Sequence, residues 1–320
     1  MKKLAILLSA TMLVTALAGC GSTSKSTTIN FPTASTTGTV YPLGSAIANL
    51  WNTEIDNMKA SAQASNGGVD NLNLIADGEA QMGVAVTSIL YENYHGEGSF
   101  EGRANEDLRV LAGLYYNPNQ LVVAENSGIE SIGDLVGKSF APGASGSTGE
   151  VETNVHLTSY GLTYPDDIQA QFVGFTEATD LIRNKQLDGA WIMAGVPTAA
   201  VTEVTATAGG KVISIDEELI EALQALYPWY AKYTIPAGTY EGQDEDVLTS
   251  AVKITICTDA SVDDDAVYEM TKVLWENIET LKATNPALEG LTVADAVTDL
   301  AGVPIHDGAA KYYREVGVLD

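Results

Sequence analysis

Three loops in this 320-residue chain place glycines with hydroxyl or amide side chains directly before predicted helices. The loops read TASTTGTVYP, ASNGGVDN and PGASGSTGEV, and their helices are predicted to begin near Pro42, Val69 and Glu150. The first turn of a helix has unpaired backbone N–H groups and the positive end of the helix dipole, so it attracts anions. If the three helix starts face one cleft, they form an uncharged pocket rich in donors, which suits a carboxylate.

In the third loop, the Ser147 and Thr148 hydroxyls are the predicted donors to that carboxylate. From the other two loops, Asn71 is expected to contribute its amide, and Tyr41 its hydroxyl and ring face. The further candidates in these loops are Thr36, Thr37, Gly38, Asn66, Gly67, Gly68 and Ser145. The alternative is that Thr37, Asn66, Ser145 and Ser147 only cap their helices, which is the commonest role of such residues.

No catalytic or cofactor motif matches these spacings. Neither Ser145 nor Ser147 has glycine two residues away on both sides, as a nucleophile elbow requires. The glycines at 143, 146 and 149 do not form the dinucleotide fingerprint. The three histidines, His95, His156 and His306, lack metal-ligand spacing, which indicates structural or exposed roles. We therefore expect no enzymatic activity, no cofactor and no metal site.

The elements that must position the loops alternate between short apolar strands and amphipathic helices. Strands are predicted at TINFPT, ASAQAS, QMGVAV, LRVLAGLYY, QLVVAE, KSFAPG, IQAQFVG, GAWIMAG, KVISID and AVKITICTD. This alternation predicts an α/β fold with largely parallel sheets. A weak internal echo between NLIADGEAQMGVAV and DLIRNKQLDGAWIM suggests two lobes of similar plan.

Two breaks in the pattern suit chain crossings between the lobes. The first is Asn117 and Pro118 inside an otherwise apolar strand, and the second is the stretch YPWYAKYTIPAGTYEG. Two crossings leave a cleft between the lobes, and hinged clefts suit small ligands. The predicted division is residues 28–119 with 240–320 as the first lobe and residues 120–239 as the second.

The beginning of the chain carries a secretory signal. Lys2 and Lys3 precede an apolar run that ends in LAGC, and the run is shorter than a membrane-spanning helix needs. The LAGC stretch resembles the lipobox of bacterial lipoproteins, so residues 1–19 are predicted to be removed and Cys20 to be acylated. Residues 20–27 then form a flexible tether. This predicts an extracytoplasmic protein that is lipid-anchored to the outer face of the bacterial cytoplasmic membrane.

The charge excludes several partners. The chain has 16 basic and 42 acidic residues, and residues 1–19 hold two of the lysines and no acid, so the processed chain has a formal charge of −28. Such a surface repels nucleic acid and anionic lipid headgroups. With Cys20 acylated, Cys257 has no partner for an intramolecular disulfide.

The whole processed chain resembles the TAXI receptors, the extracytoplasmic solute-binding subunits of one class of TRAP transporters. The stretches that carry the resemblance are TASTTGTVYPLG, SNGGVDNL, NSGIESIGDLVGKSFAPGASGSTGEV, AGVPTAAV, IPAGTYEGQ and PIHDGAAKYYREVGV. The resemblance implies a two-lobed, periplasmic-binding-protein-like (type II) fold with a hinged cleft that closes on a small organic anion. It implies a glutamate-like or dicarboxylate ligand, delivery to TRAP permease membrane subunits, and further site residues at Thr87, Ser88, Gly195 and Pro197.

Two alternatives stay open beside this interpretation. A substrate-binding lipoprotein of an ABC importer would share the two lobes and the lipid anchor, although the last segment, PIHDGAAKYYREVGV, favours the TAXI resemblance. An extracellular enzyme or adhesion domain would need a catalytic constellation or an exposed apolar patch, which the sequence does not offer.

Overall fold

A computed structural model describes residues 26–320, so the predicted signal and Cys20 lie outside the described residues. The chain folds into two lobes of mixed α/β structure with a periplasmic-binding-protein-like arrangement. The first lobe begins with β1 (Thr27–Pro32), α1 (Val40–Glu54), β2 (Met58–Gln63), α2 (Gly68–Ala76), β3 (Met82–Val86) and α3 (Thr87–His95). The long strand β4 (Leu108–Val123) then leads into the second lobe.

The second lobe contains short strands and helices that alternate along the chain. They are β5 (Ser139–Ala141), α4 (Thr148–Tyr160), β6 (Gln169–Ala170), α5 (Phe175–Arg183), β7 (Gly189–Met193), α6 (Ala199–Ala208), β8 (Lys211–Ile213), α7 (Glu217–Leu226) and β9 (Ala231–Ile235). The long strand β10 (Val247–Asp259) returns to the first lobe, which ends with α8 (Asp264–Glu276), α9 (Ile278–Lys282) and α10 (Asp307–Glu315).

The long strands β4 and β10 run antiparallel to each other and join the two lobes. In the first lobe β10 pairs with β3 through residues 254–258, whereas its residues 247–251 pair with β9. The strand β4 pairs with β10 as far as Pro118, and from Asn119 onward it pairs with β7. Both strands therefore change partners near their midpoints, which places the two crossings side by side.

The expectation of largely parallel sheets is wrong. The pairs β1–β2, β5–β6 and β5–β7 are parallel, but β4 and β10 are antiparallel to every other strand that they contact. The reason is that β4 and β10 are connecting strands that run between the lobes in opposite directions. Apolar alternation in the sequence does not report the direction of a strand.

The predicted strand breaks also differ in detail. The stretches LRVLAGLYY and QLVVAE form one continuous strand, β4, because Asn117 and Pro118 continue the ladder with β10. The Pro-rich stretch after α7 contains β9. We propose that the return crossing lies near Ser250 in β10, later than the division after residue 239 that the sequence suggests.

Two clusters of buried apolar residues form the core: the larger extends from the first lobe into the second, and the smaller lies within the second lobe. In the first lobe, Phe31 of β1 packs against Trp51 of α1 with ring centroids 5.5 Å apart, and Trp51 Nε1 donates to the Met270 carbonyl at 3.0 Å. In the second lobe, Ile182, Ile192 and Val201 are buried together. Burying this much apolar area is the main stabilising contribution to each lobe and holds its loops in place.

The structure adds two observations on the described part of the chain. None of the helices within residues 26–320 has the length and apolar character to span a bilayer. Within the same residues, no group of three or more His, Cys, Asp or Glu side chains is arranged to hold a metal ion.

Candidate ligand-binding cleft

A cavity of about 310 Å³ lies between the two lobes. Its walls come from the loops before α1 and α2, the ends of β3 and β7, the middle of β4 and β10, and the loops before α4 and α5. The residues that line it include Thr33, Thr36, Gly38, Thr39, Asn66, Gly67, Gly68, Val84, Val86, Asn117, Ser147, Thr148, Gly174, Phe175, Met193 and Ile254. Both lobes thus contribute to one enclosed space.

Five helices begin at this cavity. The residues that precede them, Thr39, Gly67, Val86, Ser147 and Gly174, all line it. The N–H groups of a first helical turn have no partner within the helix, and the helix dipole gives that end a partial positive charge. The N–H groups of five such ends favour a bound anion, although the first turns of α2, α4 and α5 also contain Asp70, Glu150 and Glu177.

The cavity lining is uncharged. Among the described residues that form its wall there is no Lys, Arg, His, Asp or Glu. Thr33, Thr36, Thr39 and Thr148 offer hydroxyl groups, and the opposite wall has apolar side chains including Val84, Met193 and Ile254. The wall therefore combines hydrogen-bond donors with a surface for an aliphatic group.

Asn117 is the most deeply buried polar side chain of the wall that lacks a partner. It is 1% exposed, and its Oδ1 atom makes no hydrogen bond in the described structure. A buried amide without a hydrogen bond is destabilising by about 1–3 kcal/mol, and such groups are usually paired with another polar group. Asn117 was expected to mark a chain crossing, and its position in the cavity wall makes it a candidate ligand contact.

Seven of the residues proposed from the sequence line the cavity. They are Thr36, Gly38, Asn66, Gly67, Gly68, Ser147 and Thr148. Ser147 is also the N-cap of α4, since its Oγ accepts from the Glu150 N–H at 3.2 Å. The hydroxyl proton of Ser147 stays available to a ligand, so the capping role and the binding role are compatible.

Thr148 connects the two sides of the cleft. Its Oγ1 accepts a hydrogen bond of 2.7 Å from the Gly68 N–H of α2, in the other lobe. The close approach depends on glycine, because a Cβ on Gly67 would lie 3.0 Å from Thr148 Oγ1 and one on Gly68 would lie 3.2 Å from it. The two predicted loops therefore meet directly.

The other residues proposed from the sequence do not line the cavity. Asn71 is buried behind it, and its Nδ2 donates to the Thr33 and Val84 carbonyls at 2.8 and 2.7 Å. The amide hydrogens of Asn71 are thus used to join the start of α2 to β3 and to the loop after β1, which corrects the expectation that they bind the ligand. Tyr41 is partly buried on α1 and is not part of the wall, and Ser145 and Pro197 are exposed to solvent.

Thr37 and Gly195 instead join the two lobes. The Thr37 carbonyl accepts from Thr198 Oγ1 at 3.3 Å, and the Gly195 N–H donates to Thr39 Oγ1 at 3.0 Å. Both bonds run between the loop before α1 in the first lobe and the segment between β7 and α6 in the second. Thr39 belongs to the wall of the cavity, whereas Thr37 and Gly195 do not.

Thr87 and Ser88, at the start of α3, also lie outside the cavity. The Thr87 Oγ1 accepts from the Lys253 N–H at 3.3 Å, which ties α3 to β10. Ser88 Oγ donates to Glu152 Oε1 of α4, in the other lobe, at 2.7 Å. The Ser88 hydroxyl therefore contributes to the contact between the lobes, whereas the Thr87 hydroxyl holds α3 to β10 within the first lobe. Neither hydroxyl lies in the wall of the cavity.

Glu152 is the centre of a buried polar cluster where the lobes meet. Besides the Ser88 bond, its Oε2 accepts from Tyr230 Oη at 2.8 Å and from Asn119 Nδ2 at 3.4 Å. Glu152 has no exposed surface. Burial raises the pKa of the Glu152 carboxyl above its ordinary value, although the bonds from Ser88, Tyr230 and Asn119 act in the opposite direction.

His156 lies one helical turn after Glu152 and belongs to the same cluster. Its Nδ1 faces the Glu152 carbonyl at 2.7 Å, so Nδ1 carries the proton, and Nε2 accepts from Ser250 Oγ at 2.7 Å. Burial lowers the pKa of His156 to about 4. The imidazole is neutral at physiological pH and serves the packing of α4 against β10.

Sequence reasoning missed Asn117 as a cavity residue, and it missed the Glu152 cluster entirely. The sequence does contain a feature that could have identified Asn117 as a cavity residue. It is an asparagine within the apolar stretch of β4, at a position where a buried side chain is expected. For Glu152 the sequence gives a weaker indication, namely an acidic residue on the same helical face as Thr148 and His156.

Comparison with known proteins agrees with this architecture. A model of the NMT1-like family matches residues 31–317. A solved structure from Bordetella bronchiseptica RB50 is similar with a TM-score of 0.51 and 16% identity, covering 92% of this chain and 90% of that one. A structure from work on glutathione import via GshT and the cystine ABC importer TcyBC of Streptococcus mutans has a TM-score of 0.51 and 12% identity, covering 82% and 95%. A Listeria monocytogenes structure assigned as an L-cystine ABC transporter has a TM-score of 0.50 and 13% identity, covering 84% and 99%.

Proposed function

The chain belongs to the NMT1-like family, and from this premise we propose that it is an extracytoplasmic receptor for a small organic anion. The observation that carries the proposal is the cavity between the lobes, at which five helices begin. Such a site binds an anion through oriented N–H groups and hydroxyls, although the net charge of the chain is strongly negative. The protein binds its ligand without transforming it.

In such a receptor, ligand binding favours a conformation in which the two lobes are closed. The loops before α1 and α2 contact the ligand from one side and the loops before α4 and α5 from the other. A ligand that contacts both sides binds the closed conformation better than an open one, and this difference in affinity drives closure. The paired crossings in β4 and β10 supply the hinge.

The receptor is proposed to deliver its ligand to the membrane subunits of a TRAP permease. The support is the resemblance of the chain to the TAXI receptors, which extends from TASTTGTVYPLG to PIHDGAAKYYREVGV. Delivery to an ABC importer is the alternative, since the Listeria and Streptococcus structures of similar fold come from ABC systems. Uptake driven by an ion gradient without ATP hydrolysis, reconstituted with the permease in liposomes, supports TRAP, whereas a requirement for ATP supports ABC.

The receptor function is tested by a thermal-shift screen of amino acids and organic acids, followed by calorimetry. A ligand that binds only the folded protein raises its melting temperature. For the tightest anion found, Thr148→Val removes a cavity hydroxyl and should weaken binding by about tenfold to a hundredfold. The matched control is Thr158→Val on the exposed face of the same helix, which should bind as the wild type does. If no anion in the screen binds, the proposed function is wrong.

A further inference from the structure

We infer that the ligand is an aliphatic carboxylate without an ammonium group, so that the receptor discriminates against α-amino acids. The inference rests on the proposed function, because it concerns the same cavity. It narrows the ligand class that the TAXI resemblance implies, which includes glutamate-like amino acids as well as dicarboxylates. Its basis is the chemistry of the cavity wall.

An ammonium group in this cavity would have no acidic partner. None of the described residues of the wall is Asp or Glu. A buried cation is strongly destabilised unless an anion and hydrogen-bond acceptors replace its lost water. The carboxylate of a bound amino acid would be held by the N–H groups at the helix starts. It would therefore not offset the cost of burying the ammonium group of the same ligand.

Three acidic side chains near the cavity have hydrogen-bond partners within the protein. Asp70 Oδ2 accepts from the Asn66 N–H at 3.4 Å, and Glu150 Oε2 accepts from the Gly146 N–H at 2.6 Å. Both stabilise their own loops. Glu152 is turned into the buried cluster with Ser88 and Tyr230 and does not reach the cavity wall.

The helix starts act against a cation as strongly as they favour an anion. Three of the five helices, α1 to α3, begin at the cavity from the first lobe, and α4 and α5 begin there from the second. An ammonium group in a cavity of about 310 Å³ cannot move far from all of these positive dipole ends. The electrostatic preference is therefore for an anion with an otherwise neutral body.

The remaining wall indicates what that body is. Val84, Val86, Met193 and Ile254 present an apolar surface that suits methylene groups. Asn117 adds one neutral polar contact whose Oδ1 is free within the described structure. This oxygen accepts a hydrogen bond from a hydroxyl or amide N–H group of a ligand and carries no formal charge.

The test compares ligands that differ in one substituent. Calorimetry at about pH 7 measures the affinity of the wild-type protein for glutarate and L-glutamate, and for pentanoate and L-norvaline. In at least one pair, the carboxylate without the ammonium group should bind about tenfold more tightly, or better. Equal or tighter binding of the amino acid in both pairs would overturn the inference and leave the receptor function intact. If no organic anion binds, the receptor function fails and the inference fails with it.

A variant of the wall gives an independent test. Asn117→Asp places a carboxylate of the same shape beside the ligand, so it should weaken glutarate binding about tenfold and shift the preference toward L-glutamate. Asn49→Asp adds the same charge on the exposed face of α1 and should leave both affinities unchanged. Thermal unfolding verifies that both variants are folded. An unchanged glutarate-to-glutamate ratio in folded Asn117→Asp would contradict the inferred site.

Discussion

The Ser88 hydroxyl donates a 2.7 Å hydrogen bond to the Glu152 carboxyl across the boundary between the lobes. Ser88 is 5% exposed and Glu152 is 0% exposed, so neither group is solvated in the closed protein. The bond can form only when α3 of one lobe lies against α4 of the other. It therefore couples a buried ionisable group to the relative position of the two lobes.

Removal of the Ser88 hydroxyl should destabilise the closed protein. Without the Ser88 hydroxyl the buried Glu152 carboxyl lacks one hydrogen-bond partner, so Ser88→Ala should lower the free energy of unfolding by about 1–3 kcal/mol. Denaturant titration measures it. Ser61→Ala on the exposed face of β2 is the control and should change the free energy of unfolding by less than about 0.5 kcal/mol. Equal stability of the two variants would show that the Ser88 bond is dispensable.

The Glu152 carboxyl should make the protein less stable as the pH rises. Its pKa in the folded protein is raised above the ordinary value of 4.5, so the folded state holds this proton more tightly than the unfolded state. The contribution is fully present below about pH 4.5 and is lost as the pH rises through the raised pKa. Relative to Glu152→Gln, which does not titrate, the wild type should lose free energy of unfolding over this range. A constant difference between the two proteins would contradict the raised pKa.

His156 should make the protein more stable as the pH rises, which is the opposite of the effect of Glu152. Its pKa falls from an ordinary 6.5 to about 4 in the folded protein, so the unfolded state binds the proton first as the pH falls. Stability from this group is present above pH 6.5 and decreases by about 3 kcal/mol as the pH falls through 4. Comparison of the pH profile of His156→Gln with that of the wild type isolates the effect.

Gly67→Ala should weaken ligand binding by opposing closure. The new Cβ would lie 3.0 Å from Thr148 Oγ1 of the other lobe, and the backbone at Gly67 has φ of +103°. Gly78→Ala is the matched control, because Gly78 also has a positive φ of +75° but has open space around its Cβ position. Both variants should lose about 1 kcal/mol of stability, but affinity for glutarate, measured by calorimetry, should fall only in Gly67→Ala. Similar affinities would exclude a role for this contact in closure.

Cys20 should be the membrane anchor, because it follows the apolar segment at the predicted cleavage site. Cys20→Ala should be released into the medium or left unprocessed, as fractionation and immunoblotting of intact cells would show. Retention of the processed variant in the membrane fraction would contradict the lipoprotein prediction.

The sequence by itself determined the features that depend on neighbouring residues. Alternating apolar periodicity predicted the α/β elements, and clustered Gly, Ser and Thr before helical segments located the loops at which α1, α2 and α4 begin. The sequence signal for a helix start is local, because the capping residue and the first turn are neighbours in the chain. Seven of the proposed residues, including Gly68 and Thr148, consequently lie in the cavity wall.

The tertiary structure decided which side chains within those loops face the cavity. Asn71 and Asn117 are both buried asparagines, yet the amide hydrogens of Asn71 are bound to two backbone carbonyls while Asn117 lies in the cavity wall. The difference arises because α2 packs Asn71 against β3 and the loop after β1, whereas Asn117 lies in β4 where this strand pairs with β10. The same packing places Ser88 against Glu152. Contacts of this kind depend on how separate elements meet, and a residue's immediate neighbours in the sequence do not specify them.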